Sequence, residues 1–200
     1  MGLAGLMVTP TTTPLASAET KQAKFIGALI GKAVKILQLP LENSVEREAG
    51  LRKLLDHEFD IPTIVRLVLG RHWRTATPTQ RARFASAFQT HLIGVYSDQL
   101  GLYDGQIMEI EKSATLTAKD TVVFTLISRE GDLPVRLDWR VRQTKKGLRV
   151  IDIATEGVSM VTTKRSEFTS LAAREGVEAL IVRLETMNNN ASQTDEINAL

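Results

Sequence analysis

The chain has 200 residues, 43% of them hydrophobic and 24% charged, and no cysteine. That length builds one domain, or one domain with appendages, and the missing cysteine excludes disulfides, a thiolate nucleophile, a Cys–zinc site and an iron–sulfur cluster. Lys+Arg exceed Asp+Glu by only 25 − 23 = 2 and aromatics make up 5%, which speaks against a basic, base-stacking nucleic-acid binder. No apolar run of about 18 residues or more occurs, so no membrane-spanning helix is expected.

Residues 1–18, MGLAGLMVTPTTTPLASA, are uncharged and end in Ala16-Ser17-Ala18 before Glu19. The small-x-small ending reads as the cleavage end of a secretion signal. The basic n-region of such a signal is missing and the apolar stretch Leu3 to Val8 is short. Two readings stay open: a start that lies inside a longer signal, or a Thr/Pro-rich unstructured lead. The expected organisation is a signal over 1–18, a single α+β domain over 19–187 and a polar tail over 188–200.

The first half has helical period. Phe25, Ile26, Leu29, Ile30, Ala33, Val34 and Leu37 mark a helix that Leu39-Pro40-Leu41 ends. Ser44 opens a second, to about Glu58, with Val45, Leu51, Leu54 and Leu55 inward. Asp60 caps the short apolar run Ile61 to Leu69, and Gly70 closes it. Thr77-Pro78-Thr79-Gln80 is a capping box with proline at the first helical position. In the helix that follows, Phe84, Phe88, Leu92, Tyr96 and Leu100 recur every four residues and form a slanted apolar ridge.

The second half reads as strands over 107–110, 121–129, 134–143, 148–155 and 158–163. Gly131-Asp132 and Lys145-Lys146-Gly147 are hairpin turns, which implies antiparallel pairing. Residues 121–127 are apolar on both faces, so this strand is expected to be central. Val135, Leu137, Trp139 and Val141 alternate with Arg136, Asp138, Arg140 and Arg142, which gives one apolar and one charged face. Residues 166–187 form a last helix broken near Gly176. Helices followed by sheet are the α+β signature. A curved antiparallel sheet covered by N-terminal and C-terminal helices makes a cone, and a cone can hold an apolar cavity.

No Gly-rich phosphate loop and no nucleophile elbow occur. The run His57-Glu58-Phe59-Asp60 reads as a solvated helix end, and His72 and His91 give no metal spacing. The ridge is either ordinary core or a cavity wall, which periodicity does not separate. Arg136 and Lys164 flank apolar segments, either as solvated cations or as partners for an anionic head group at a pocket mouth.

Several segments resemble the MlaC (toluene-tolerance) family of periplasmic phospholipid-binding proteins. They are Phe59-Asp60-Ile61-Pro62, Val68-Leu69-Gly70-Arg71-His72-Trp73 and Ala76-Thr77-Pro78-Thr79-Gln80-Arg81. The most specific are Pro134-Val135-Arg136-Leu137-Asp138-Trp139 and Glu156-Gly157-Val158-Ser159-Met160-Val161-Thr162-Thr163-Lys164. The likeness spans roughly residues 21–186 in the same order. It implies a soluble periplasmic carrier, not an enzyme, with phospholipid as cargo and no other cofactor or metal. It implies shuttling between an outer-membrane lipoprotein complex and an inner-membrane ABC transporter with an MCE-domain protein, as a monomer.

By position, Arg136 and Met160 match family residues at the lipid pocket, with Tyr96 and Lys164 as weaker matches. The expected cavity lining is Ile64, Leu69, Phe84, Phe88, Leu92, Tyr96, Leu100, Phe124, Leu126, Leu137, Trp139, Val158 and Met160, with Arg136 and Lys164 at the mouth. The alternation of the Arg136 strand sets this arginine opposite Leu137 and Trp139, so it would reach the lipid from the other face or from the strand's end. A family subgroup is associated with hopanoid synthesis genes, so a hopanoid or other isoprenoid cargo stays open. An isomerase or dehydratase on the same fold and a solid-cored interaction module are the other two readings.

Overall fold

Local capping chemistry sets where the helices begin. The computed structural model describes residues 20–100, 105–129 and 131–198, with side-chain detail for all but 41, 95–100 and 191–198. The Thr20 hydroxyl accepts from the Ala23 N–H at 3.1 Å and starts α1 (Lys21–Leu37). After a 3-10 turn comes α2 (Ser44–Glu58). Asp60 accepts from the Thr63 N–H at 3.2 Å and the Thr63 hydroxyl at 2.6 Å, which caps α3 (Ile61–Leu69). Gly70 ends that helix at φ 54°, where a Cβ would sit 3.0 Å from Arg165 Nε, so glycine is required on two counts. The capping box forms as expected: Gln80 N–H donates to Thr77 Oγ1 at 3.2 Å and Thr77 N–H donates to Gln80 Oε1 at 3.1 Å, opening α4 (Pro78–Leu100).

The sheet is five-stranded and antiparallel throughout, in the order β1 (Ile107–Thr115), β2 (Asp120–Ser128), β3 (Val135–Thr144), β4 (Gly147–Thr155) and β5 (Val158–Ser159). Its inner face carries Val123, Trp139, Val141 and Val150, which bury against Ala23, Ile26 and Leu29 of α1. Trp139 Nε1 donates to the Thr125 hydroxyl at 3.0 Å, and that hydroxyl donates to the Leu137 carbonyl at 2.7 Å. The polar atoms of this face are thereby spent within it.

The outer face carries the charges. Asp120 accepts from Arg140 (Nε 3.1 Å, Nη2 2.6 Å) and from Arg142 (Nε 2.7 Å, Nη2 2.8 Å). Its side chain is 2% exposed. The Arg142 hydrogen bonds, seconded by Arg140, outweigh the cost of burial and hold the Asp120 carboxyl down at about 2, from 3.8.

A second core lies among helices. Ile64, Val65, Val68 and Leu69 of α3 meet Phe84 and Phe88 of α4 and Phe168, Leu180, Ile181 and Leu184 of α5 (Met160–Asn198). Phe84 and Phe88 stack at 5.7 Å, and both meet the Phe168 edge at about 6 Å. Arg83 ties α4 to α5 through Glu178 and through Glu185 at 2.7 Å.

Three expectations are corrected here. Val45 is 82% exposed and does not point inward. The segment 158–163 is a strand only at Val158–Ser159. The Ser159 hydroxyl accepts from Thr162 N–H at 3.0 Å and Asp152 accepts from Val161 N–H at 3.0 Å, so the chain turns helical at Met160. The tail from residue 188 continues α5 as helix through Asn198, beyond the kink at Gly176 (φ 88°).

The fold predicts its own acid limit. The Asp120 clamp contributes about 2 kcal/mol above pH 4 that is lost as pH falls from about 4 to about 2, since a depressed carboxyl pKa stabilises only above its unfolded value. Asp120→Asn should cost about 2–3 kcal/mol at pH 7 in urea unfolding and remove that acid-dependent segment. An unchanged acid limb in the variant would show that the clamp does not carry it.

Candidate lipid-binding site

The two cores meet along a seam at Phe59, which packs against both and pairs by an isolated bridge with Val150 of β4. Each core is bordered by partly buried apolar side chains. Leu92 of α4 and Val161 of α5 fringe the helical core. Leu54 of α2, with Leu137 and Ile153 from the inner face of β3 and β4, fringes the sheet core. Leu137 and Ile153 share that face with Trp139, since Trp139 pairs with Ile153 and Leu137 with Thr155. An apolar surface that is neither solid core nor open solvent is where a hydrocarbon chain can lodge with least rearrangement.

Polar groups gather beside the helical fringe. Lys164 lies 5.9 Å over the Phe168 ring and pairs with Glu167 at 2.9 Å. His91 of α4 is half-buried, and burial, with the Lys164 charge adding to it, lowers its pKa below 6.5. The imidazole there is neutral at pH 7.

The residues expected from sequence fall into four groups. Ile64, Leu69, Phe84 and Phe88 are sealed in the helical core by the chain's own side chains, at 6%, 1%, 0% and 2% exposure. For these the ridge is ordinary core: α5 lies along α4 and takes the place at Phe84 and Phe88 that the sheet was expected to fill. Leu92 is partly buried against the helical core, Leu137 is partly buried against the sheet core, Trp139 is buried under α1, and Met160 is half-buried at the start of α5. Phe124 and Leu126 are half-buried on the outer face, and Val158 is 63% exposed because β5 is only two residues long at the sheet's end. The side chains of Tyr96 and Leu100 lie outside the described residues.

The two mouth cations do not share an element or a partner. Arg136 is on the outer face, as its alternation requires, 5.7 Å over Phe124 and paired to Asp138 at 2.9 Å. Lys164 is on α5. Phe59, Val161 and Ile153, which the sequence did not single out as lining, are partly buried against the cores. The pairing alternation placed Ile153 on the Trp139 face, while Phe59 was hidden inside a run read for its charges. The groups of that run diverge: His57 bonds the Lys53 carbonyl at 2.8 Å, Glu58 pairs with Lys32 at 2.5 Å and Asp60 caps α3.

Among the described residues no group of three or more His, Asp and Glu side chains is placed to hold a metal ion, and no helix is long and apolar enough to cross a membrane. Such an open antiparallel sheet backed by helices, with an apolar junction between layers, places the chain in an α+β class of known fold. A phospholipid-binding protein from Ralstonia solanacearum, solved in complex with a phospholipid, shares the fold with a TM-score of 0.74 over 84% of this chain and 97% of that one, at 23% identity. Residues 29–186 match the family described as MlaC protein, and the chain belongs to that family. The intermembrane phospholipid transport system binding protein MlaC of Haemophilus influenzae is 25% identical over 130 residues, 63% of this chain. The matched part spans 59% of that relative's length.

The buried His91 makes a pH prediction. Its folded pKa lies below 6.5, so stability should fall as pH drops below about 6.5, where the unfolded chain takes up a proton that the fold refuses. His91→Gln should flatten urea midpoints measured between pH 7.5 and 5.5. An equal decline in both proteins would place the titrating group elsewhere.

Proposed function

We propose that this chain is a carrier that binds phospholipid by its acyl chains, in the seam between the helical and sheet cores, and moves it between membranes across an aqueous compartment. The observation that carries the reading is the division of the interior into two cores that share Phe59, each bordered by partly buried apolar side chains, in a member of the MlaC family. A phospholipid crossing water alone must bare its chains. At about 0.8 kcal/mol per CH2, a sixteen-carbon chain costs on the order of 10 kcal/mol. A protein that parts along Phe59, Leu92, Val161, Leu137 and Ile153 replaces that water with side chains. The job needs burial and no catalytic group.

The carrier would work in the periplasm and exchange lipid with the outer-membrane lipoprotein complex and the inner-membrane MCE-domain ABC transporter. The family supports this placement, and the phospholipid complex of the structural neighbour supports the choice of cargo. Lys164, which lies over the Phe168 ring, would be the cation to meet a head group.

The test is organic extraction and native mass spectrometry of the purified protein. Wild type should carry phospholipid. Leu137→Glu and Val161→Glu should each lower retained lipid about tenfold or more by setting a charge in the apolar seam, at thermal midpoints that show the fold intact. Val158→Glu, at an exposed position, should retain lipid like wild type. Wild-type protein that emerges lipid-free and takes none from phospholipid vesicles would overturn the reading.

A further inference from the structure

The outer face of the sheet holds a cleft that the seam does not use. Strand register builds it from two rows. Phe124, Asp138 and Ala154 are direct neighbours across β2, β3 and β4, and Val122, Arg140 and Asp152 form the next row. With Leu116 at the side, these residues line an open cleft of about 290 Å³. That is near the lower end of small-ligand sites, about 300 Å³, and suits a compact polar group rather than a two-chain lipid.

The polar atoms of the cleft are unevenly satisfied. Asp152 is saturated, accepting from Ser159 Oγ at 2.6 Å and from Val161 N–H at 3.0 Å. Asp120, behind Arg140, holds that arginine by Nε and Nη2. Asp138 differs. It is 8% exposed, its Oδ2 accepts from Arg136 Nη2 at 2.9 Å, and its Oδ1 is buried with no hydrogen-bond partner. A buried carboxylate oxygen left so is costly, and the group that relieves it must be a donor. Around it stand cations: Arg140 in the cleft, and Lys112 and Arg136 at 5.3 Å and 5.7 Å over the Phe124 ring. The apolar floor of Phe124, Val122 and Ala154 lowers the local dielectric and strengthens both kinds of contact.

We infer that this cleft binds an ammonium linked to a phosphate, the ammonium donating to Asp138 Oδ1 and the phosphate facing Arg140 and Lys112. One carboxylate with a spare acceptor among several cations matches a zwitterion better than either ion alone, because a bare anion leaves Oδ1 unmet and a bare amine meets the surrounding positive charge. The chemistry occurs in an ethanolamine-type lipid head group and in free phosphoethanolamine esters. The site is on the opposite sheet face from the seam, so it stands or falls apart from acyl-chain carriage.

Titration with glycerophosphoethanolamine, which has no acyl chains, followed by amide and arginine side-chain NMR shifts, tests this. Saturable shifts confined to Phe124, Asp138, Arg140 and Ala154 are expected, with glycerol 3-phosphate and ethanolamine each binding at least about tenfold more weakly. Asp138→Asn should weaken binding by about tenfold or more. Ala154→Met, which fills the cleft and leaves every ion pair in place, should abolish it even if Asp138→Asn fails to fold. A short-chain phosphatidylethanolamine that shifts the same residues identifies the head group as the source, and one that does not identifies the free ester; both keep the site. No saturable shift, or equal affinity for glycerol 3-phosphate, overturns the inference. So does wild-type affinity in Ala154→Met.

Discussion

The register of β2, β3 and β4 is the constraint on which the rest depends. Side chains alternate faces along a strand, so one residue of slip would send Trp139 and Val141 to solvent and Arg140 and Arg142 under α1. The Asp120 clamp opposes that slip directly. It joins Asp120, at the start of β2, to two alternate arginines of β3, and only the observed pairing of Asp120 with Arg142 brings both within reach of one carboxylate. The apolar face supplies most of the burial energy, while the charged face supplies the specificity. The bulge between Arg140 and Val141 lets Ile151 be buried without breaking the alternation on either side.

That same register separates two surfaces with different chemistry. The inner face is stripped of unmet polar atoms by the Trp139–Thr125–Leu137 chain, which makes it a wall suited to hydrocarbon. The outer face concentrates charge over Phe124. Arg136 illustrates the consequence. It neighbours Leu137 in sequence, yet the two side chains serve opposite sides of the sheet. A role for Arg136 at the inner seam would need the strand to end one residue earlier or the ligand to round its edge.

Sequence alone made the α+β class, the hairpins, the Thr77 capping box, the Asp60 cap and the two-faced β3 legible, because each rests on a local rule. What it could not show was which layer the α4 ridge joins. Phe84 and Phe88 have the periodicity of a buried stripe, and a stripe packs equally well on a sheet or on a helix. The choice was made by α5, whose start was itself hidden: Val158-Ser159-Met160-Val161 reads as a strand until Ser159 and Asp152 are seen to cap a helix. Once α5 lies along α4, Ile64, Leu69, Phe84 and Phe88 become core. Phe59 was legible as part of a family motif but not as a packing residue, because that role is purely tertiary: it touches both cores at once.

The proposed carriage poses an energetic dilemma to which the two-core plan offers an answer. A large preformed dry cavity would destabilise the empty protein, by about 24 cal/mol for each Å³ left unfilled in core-truncation series. A single continuous core would resist opening at all. Here the Phe84–Phe88–Phe168 cluster and the α1–sheet cluster are distinct cores that share Phe59. Under the proposal, an acyl chain would cover partly buried side chains such as Leu92, Val161, Leu137 and Ile153. The backbone supplies places for the movement: Gly70 ends α3 at positive φ, and Gly176 kinks α5 with open space where a Cβ would be. On that reading the apolar contacts are exchanged between protein and cargo, and the buried parts of each core keep their packing.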